Sequence, residues 1–182
     1  MKNIQETLKK EGYKKLNFKV SKTQHLLIKA TINGVKGNFI LDTGASNSCV
    51  GFESIELFQL NVCESSTKAS GAGATGMHTQ LSKNNTLQLG RWKNPDFSLI
   101  VFDLSHVNSA LIEHNAKPVH GIIGADILLQ GKAIIDYFNH CLYLNNWPNQ
   151  SNSNSNPSNS NSLNFFAFNH SIFAPVKTSI FN

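Results

Sequence analysis

From Leu16 onward the chain alternates between apolar and polar positions. Leu16, Phe18 and Val20 are spaced in this way, and Leu26, Ile28, Ala30 and Ile32 repeat the step. Successive side chains of a strand point to opposite faces, so a period of two predicts strands with one buried face. Asn33-Gly34 follows, a pair that tolerates the left-handed positions of a tight hairpin turn. Beyond it, Gly37 to Leu41 reads as a second strand that becomes apolar on both faces as it reaches Asp42. The prediction is a hairpin that delivers Asp42 from a buried strand.

A second β-rich stretch runs from Thr67 to Phe102, with strand patterns at His78–Leu81, Thr86–Leu89 and Phe97–Phe102 and a glycine-dense segment from Ser70 to Gly76. Ser105 to Asn115 suits a helix or a loop. Val119 to Gly124 reads as a short buried strand with a glycine stop, and Ala125 to Leu129 as a helical turn. Lys132–Tyr137 with Cys141–Leu144 makes a closing hairpin. At the front, Asn3 to Glu11 carries helix formers, with Ile4 and Leu8 on one face and Gly12 where a helix stop belongs. Many short strands and one or two short helices predict an all-β, closed, barrel-like domain. Residues 1–14 are then an N-terminal arm or short helix and 15–147 the folded domain. Ser151 to Ser162 is nearly pure Ser and Asn, a composition that cannot bury enough apolar surface to order itself. With the Phe-rich tail after it, residues 148–182 are expected to be poorly ordered.

Hydrophobic residues make up 40% of the 182 positions and charged residues 15%, a balance that suits a globular core. The net charge of +5 invites an anionic partner, yet the lysines are scattered, with Lys9-Lys10 and Lys14-Lys15 the only adjacent pairs. Nucleic-acid binders concentrate charge on one face or run, so no nucleic-acid partner is expected. Cys49, Cys63 and Cys141 are odd in number and widely spaced, which predicts three reduced thiols packed as small apolar residues. Neither CxxC nor HExxH spacing occurs, so no metal and no cofactor is expected. The polar start of the chain lacks the apolar centre of a secretory signal and no run is long enough to span a bilayer, so a cytoplasmic protein without membrane contact is expected.

The chemistry concentrates in Phe39-Ile40-Leu41-Asp42-Thr43-Gly44-Ala45-Ser46. A carboxylate directly after an apolar strand must be paired, hydrogen-bonded or neutralised. Gly44 lets a backbone N–H approach it closely, and the Thr43 hydroxyl can donate and accept within a turn. Asp before Thr-Gly also caps turns and helix starts, and a glycine run is also what a floppy connection looks like. Asp126 and Asp136 have the contexts of a helix start and a strand end, which gives neither a catalytic role.

The segment Leu41-Asp42-Thr43-Gly44-Ala45-Ser46 resembles the signature of the retropepsin-like aspartic proteases, the retroviral enzymes and their single-domain bacterial relatives. A second family element, two apolar residues and a glycine, is similar to Ile122-Ile123-Gly124, continuing into Ala125-Asp126-Ile127-Leu128. Gly71-Ala72-Gly73 falls where the family carries the tip of its flap, a mobile hairpin over the substrate. The resemblance spans Leu16 to Leu144 and makes 15–147 a protease domain with the acid-protease barrel. It implies an aspartic endopeptidase with Asp42 as the catalytic residue, Thr43, Gly44, Ala45 and Ser46 as the active-site turn, and Ile122, Ile123 and Gly124 as the strand beside it. Asp-Thr-Gly occurs once, so the resemblance implies a homodimer acting on a peptide or protein substrate, each subunit giving one aspartate and one flap. The chain departs from the family in its long span between Asp42 and Gly124, where Ser105 to Lys117 reads as an insertion, and in a flap tip without a large hydrophobic residue. The alternative is a catalytically silent module that keeps the fold to bind peptides or to dimerise.

Overall fold

The computed structural model describes residues 4–65, 69–71 and 74–146, with the backbone alone at 69–71 and 74–77. The chain order is α1 (Ile4–Lys10), β1 (Tyr13–Asn17), β2 (Lys19–Val20), β3 (Leu26–Ile32), β4 (Val35–Leu41) and β5 (Cys49–Gly51). A 3-10 turn at Phe52–Ser54 precedes β6 (Val62–Glu64), β7 (Ala69–Gly71), β8 (Ala74–Met77), β9 (Gln80–Leu89) and β10 (Trp92–Phe102). Then come α2 (Ser105–Glu113), β11 (Gly121–Ile123), α3 (Ala125–Gln130), β12 (Ile134–Asp136) and β13 (Cys141–Asn145). The Ser/Asn-rich stretch and the Phe-rich tail lie outside the described residues. No helix among those described is long and apolar enough to cross a membrane.

The main sheet has the order β2-β3-β4-β11-β5-β10-β9-β6, and a further pairing of β3 with β9 closes its middle into a barrel. The predicted β3–β4 hairpin is present with Ile32 opposite Val35. Its turn residues Asn33 and Gly34 have φ of 49° and 84°, the left-handed pair that matches the twist of two adjoining strands. Leu26, Ile28, Ala30 and Ile32 all face inward and are buried, as their alternation requires.

The strand pattern at 16–20 resolves differently. Leu16 and Phe18 are buried, but Val20 is 41% exposed, because β1 pairs with β13 in a separate sheet whereas β2 crosses to pair with β3. That separate sheet has the order β1-β13-β12 and includes the predicted closing hairpin. Trp92 Nε1 donates to the Asn145 carbonyl at 3.0 Å, tying β10 to β13. The strand patterns at His78–Leu81 and Thr86–Leu89 merge into one long strand, β9, which starts only at Gln80 and leaves His78 and Thr79 outside it. Cys49 and Cys141 are buried, but Cys63 is exposed, because β6 is an edge strand of the main sheet.

Two apolar layers explain why the Phe39–Leu41 end of β4 is hydrophobic on both faces. Phe39, Leu41 and Ile123 join the large core inside the barrel. Ile40 and Ile122 point the other way, into a second cluster with Leu104, Val107 and Leu111. The last two lie on α2, the helix formed within the 105–117 stretch. β11 and the Phe39–Leu41 end of β4 are buried on both faces and carry no polar residues, whereas Lys36 and Asn38 earlier in β4 are exposed.

Asn33 also braces the barrel. Its amide donates to the Phe58 carbonyl at 3.0 Å and to the buried Asn85 Oδ1 at 2.9 Å, and its Oδ1 accepts from Thr86 N at 2.9 Å. Replacing Asn33 with Ala should lower stability by about 2 kcal/mol or more, since it leaves polar partners unmatched and removes the short polar side chain that lets Asn tolerate a positive φ. Asn33→Gly should fall between the two, because it spares the backbone. Urea unfolding midpoints of the three proteins check this order.

Candidate active site

The Asp42 turn is shaped by a strand that lies between its two ends. β11 runs parallel to β4, Ile122 opposite Ile40 and Ile123 opposite Leu41, and antiparallel to β5, Ile122 opposite Cys49. The segment 42–48 joins β4 to β5, so it must cross over the C-terminal end of β11. Four hydrogen bonds hold the crossing: Asp42 N to the Ile123 carbonyl at 3.0 Å, Ala125 N to the Ala45 carbonyl at 2.7 Å, Asp126 N to the Ser46 carbonyl at 3.2 Å, and Gly124 N to Ser48 Oγ at 2.9 Å. A Cβ on Gly124 would lie 2.7 Å from the Ala45 carbonyl oxygen and 2.8 Å from the Asn47 backbone. Only glycine permits that approach.

Asp42 is half-buried at the head of this crossing, Thr43 and Gly44 are exposed, and Ala45 is fully buried. The Gly44 N–H donates to Asp42 Oδ1 at 2.8 Å, which satisfies one carboxylate oxygen from within the turn. Asp42 also lines a cavity of about 190 Å³ with His25, Leu26, Ile40, Thr43 and Tyr137. Tyr137 comes from the tip of the β12–β13 hairpin and is 64% exposed. Burial pulls the His25 imidazole below its ordinary pKa, partly offset by the nearby Asp42 charge.

A second carboxylate serves the turn from behind. Asp126 accepts from Ser48 Oγ at 2.7 Å, Ser48 N at 3.0 Å and Ile127 N at 2.8 Å. Ser48 is 1% exposed and passes the chain of bonds on to Gly124 N. Burial pushes the Asp126 carboxyl above the usual carboxylate range, against the lowering effect of those donors. Sequence reasoning took Asp126 only for a helix start, and Ser48 was missed altogether. The signal available was a serine and an aspartate flanking the turn and the glycine that the resemblance singled out.

Ile122, Ile123 and Gly124 lie beneath the Asp42 turn. Gly71 ends β7, which pairs with β8 through Gly71 opposite Ala74 in a two-stranded ribbon of its own. Ala72 and Gly73, the expected flap tip, lie outside the described residues. Among the described residues, no group of three or more His, Cys, Asp or Glu side chains gathers as metal ligands would.

Residues 28–127 match the family model described as "Aspartyl protease". The chain belongs to the aspartyl protease family. Among solved structures, a retropepsin-like aspartic protease from Rickettsia conorii is 19% identical, with a TM-score of 0.51 over 74% of this chain and 92% of that one. The EIAV protease, complexed with the inhibitor HBY-793, is 20% identical with a TM-score of 0.46, over 61% of this chain and 91% of that one. The retroviral protease-like domain of Ddi1 from Leishmania major is 19% identical with a TM-score of 0.46, over 69% and 96%. No curated protein matches. At this identity the Rickettsia structure establishes a shared retropepsin-like fold. The stretch matched by the aspartyl protease model runs from β3 into α3, and so takes in both Asp42 and Gly124. It leaves out β12, β13 and the Tyr137 side of the cavity.

In this member of the aspartyl protease family the Ser48–Asp126 pair should show in stability. Ser48→Ala leaves the Gly124 N–H without its acceptor and should cost about 1–3 kcal/mol in chemical unfolding. Because the Asp126 carboxyl is raised in the folded protein, the folded state holds that proton more tightly than the unfolded chain. Its contribution to stability is present below the ordinary carboxylate range and is lost as pH rises through the raised value. The stability advantage of the wild type over Asp126→Asn should therefore shrink as pH rises through this window, read as the difference in thermal midpoints.

Proposed function

We propose that the chain is an aspartic endopeptidase whose active site is completed by a second copy. The observation that carries this reading is the Asp42 carboxylate, braced by the Gly44 N–H and facing an open cavity at the head of a strapped turn. Two such carboxylates brought within hydrogen-bond reach about a two-fold axis cannot both ionise and share one proton. The ionised member takes a proton from water, and the protonated member donates to the carbonyl oxygen of the peptide. The hydroxide so formed adds to the carbonyl carbon with no covalent enzyme intermediate, and the C–N bond then breaks as the dyad returns a proton to the amine nitrogen. The handling of charge by a shared proton is the general chemistry of paired aspartates.

Asp-Thr-Gly occurs once in the chain, so the second carboxylate comes from the partner subunit. Support for a self-pairing surface comes from β12, an edge strand whose Ile134 and Ile135 are half-buried. It leads into Tyr137 and Phe138, 64% and 93% exposed, beside the Asp42 cavity. A free strand edge flanked by exposed aromatics is a template for pairing with another chain. The substrate is an extended peptide bound as an added strand, with the β7–β8 ribbon and Gly71, Ala72 and Gly73 as the cover. Residues 15–147 are the protease domain under this reading, and it works in a soluble setting.

Asp42→Asn should lower kcat by about 10³-fold or more without unfolding the protein, measured on a peptide library from acidic to neutral pH. Ile135→Lys with Phe138→Ser should weaken the dimer in sedimentation and reduce activity in step with it. Undiminished activity in pure Asp42→Asn would overturn the mechanism. A folded dimer that binds peptides but turns none over at any pH would point to the silent module instead.

A further inference from the structure

His25 belongs to neither family element, yet it shares the cavity with Asp42. The turn between β2 and β3 is built to hold it. Ser21 N donates to the His25 carbonyl at 2.9 Å, and His25 N donates to Ser21 Oγ at 3.0 Å. Gln24 takes a left-handed φ of 63° to tighten the turn. Ser21 Oγ lies 2.8 Å from Thr23 Oγ1, which in turn lies 2.7 Å from His25 Nδ1. A hydroxyl both donates and accepts. When the ring is neutral, Thr23 can donate to Nδ1; when it is charged, Nδ1–H can donate to Thr23. The two hydroxyls need only rotate, so the ring changes charge without changing place.

We infer that His25 is a positioning residue for the reaction, a titratable cation held in the Asp42 cavity that favours the ionised form of the catalytic carboxylate at acid pH. This rests on the aspartic endopeptidase reading above. The groups facing His25 across the cavity are the Asp42 carboxylate at the end of β4 and the Tyr137 phenol from the β12–β13 hairpin, and Lys22 on its own turn is exposed. The attraction between His25 and Asp42 is mutual: the Asp42 charge raises the imidazole, while burial lowers it. A nearby opposite charge favours the charged form of each partner. Below the point where the imidazole loses its proton, the cation holds the dyad in its singly ionised, active form to lower pH than the carboxylates reach alone. Above that point the ring is neutral and the dyad titrates without it.

The test is a charge series at one position. The dependence of kcat/KM on pH is measured for the wild type, His25→Gln and His25→Lys, with Asp42→Asn as the control for Asp42-dependent turnover. His25→Gln should move the acid limb upward by about half a pH unit or more, an effect of charge at short range in a partly wet cavity. His25→Lys should restore the low acid limb and draw the basic limb down, since its charge persists. Superimposed acid limbs in all three folded proteins would overturn the inference. A second readout needs no turnover: the His25 imidazole is titrated by NMR in wild type and in Asp42→Asn. Losing the Asp42 charge should lower the His25 midpoint; an unmoved midpoint sinks the inference even if catalysis stands. A shifted midpoint with no Asp42-dependent turnover would keep the coupling and overturn the protease reading.

Discussion

Everything at the site follows from the placement of β11 between β4 and β5. The two strands are consecutive in the chain but are not neighbours in the sheet. Their connection must therefore bridge the width of a third strand, and it does so as a backbone strap rather than as a hairpin. The strap leaves Asp42 at its leading edge, with its N–H bonded to the β11 carbonyl of Ile123. A hairpin of ordinary length would have turned the aspartate back along β4. Here the geometry ends the strand abruptly and leaves the carboxylate half-exposed beside a cavity.

Two aspartates near this strap live in opposite settings. Asp126 sits behind it and satisfies its oxygens on Ser48 and Ile127. Such a carboxylate is structural: its donors are already committed, and removing one leaves a buried polar group unmatched. Asp42 accepts from the Gly44 N–H and keeps a side on the cavity. The two carboxylates differ less in residue type than in how far their oxygens are already committed to donors of the fold. The α2 helix supports the same region from the outer face, where Asn108 clamps Val119 through Val119 N to Oδ1 at 2.8 Å and Nδ2 to the Val119 carbonyl at 3.0 Å.

Much of this was legible in the sequence, and the physical reasons for the gaps are specific. The alternation at Leu26 to Ile32 and the Asn33-Gly34 turn fixed the hairpin because period and turn chemistry agree there. The double-sided apolar run before Asp42 signalled burial, but not that α2 supplies its second layer. The short strands β5 and β6 went unread, since three residues are too few to show a period. Val20 misled because the chain changes sheets between β1 and β2, which no local pattern records. Ser48, Asp126 and His25 escaped because each acts across long sequence separations or through a turn whose partners are set by the fold. What the motif could not convey was the crossing itself, in which Gly124 matters for the atoms it lacks.

The crossing also has a consequence in time. Asn38 and His120 are bonded to each other across 82 residues of chain, and the strap takes its shape from the strand that begins one residue later. Contacts so distant carry a large loop-closure cost and tend to form late. During folding the β3–β4 hairpin can assemble early from local contacts, with its aspartate in place but without its cradle. The cradle arrives with β11. A chain released or cut before that strand would carry the whole Asp-Thr-Gly motif and none of the geometry that makes it useful.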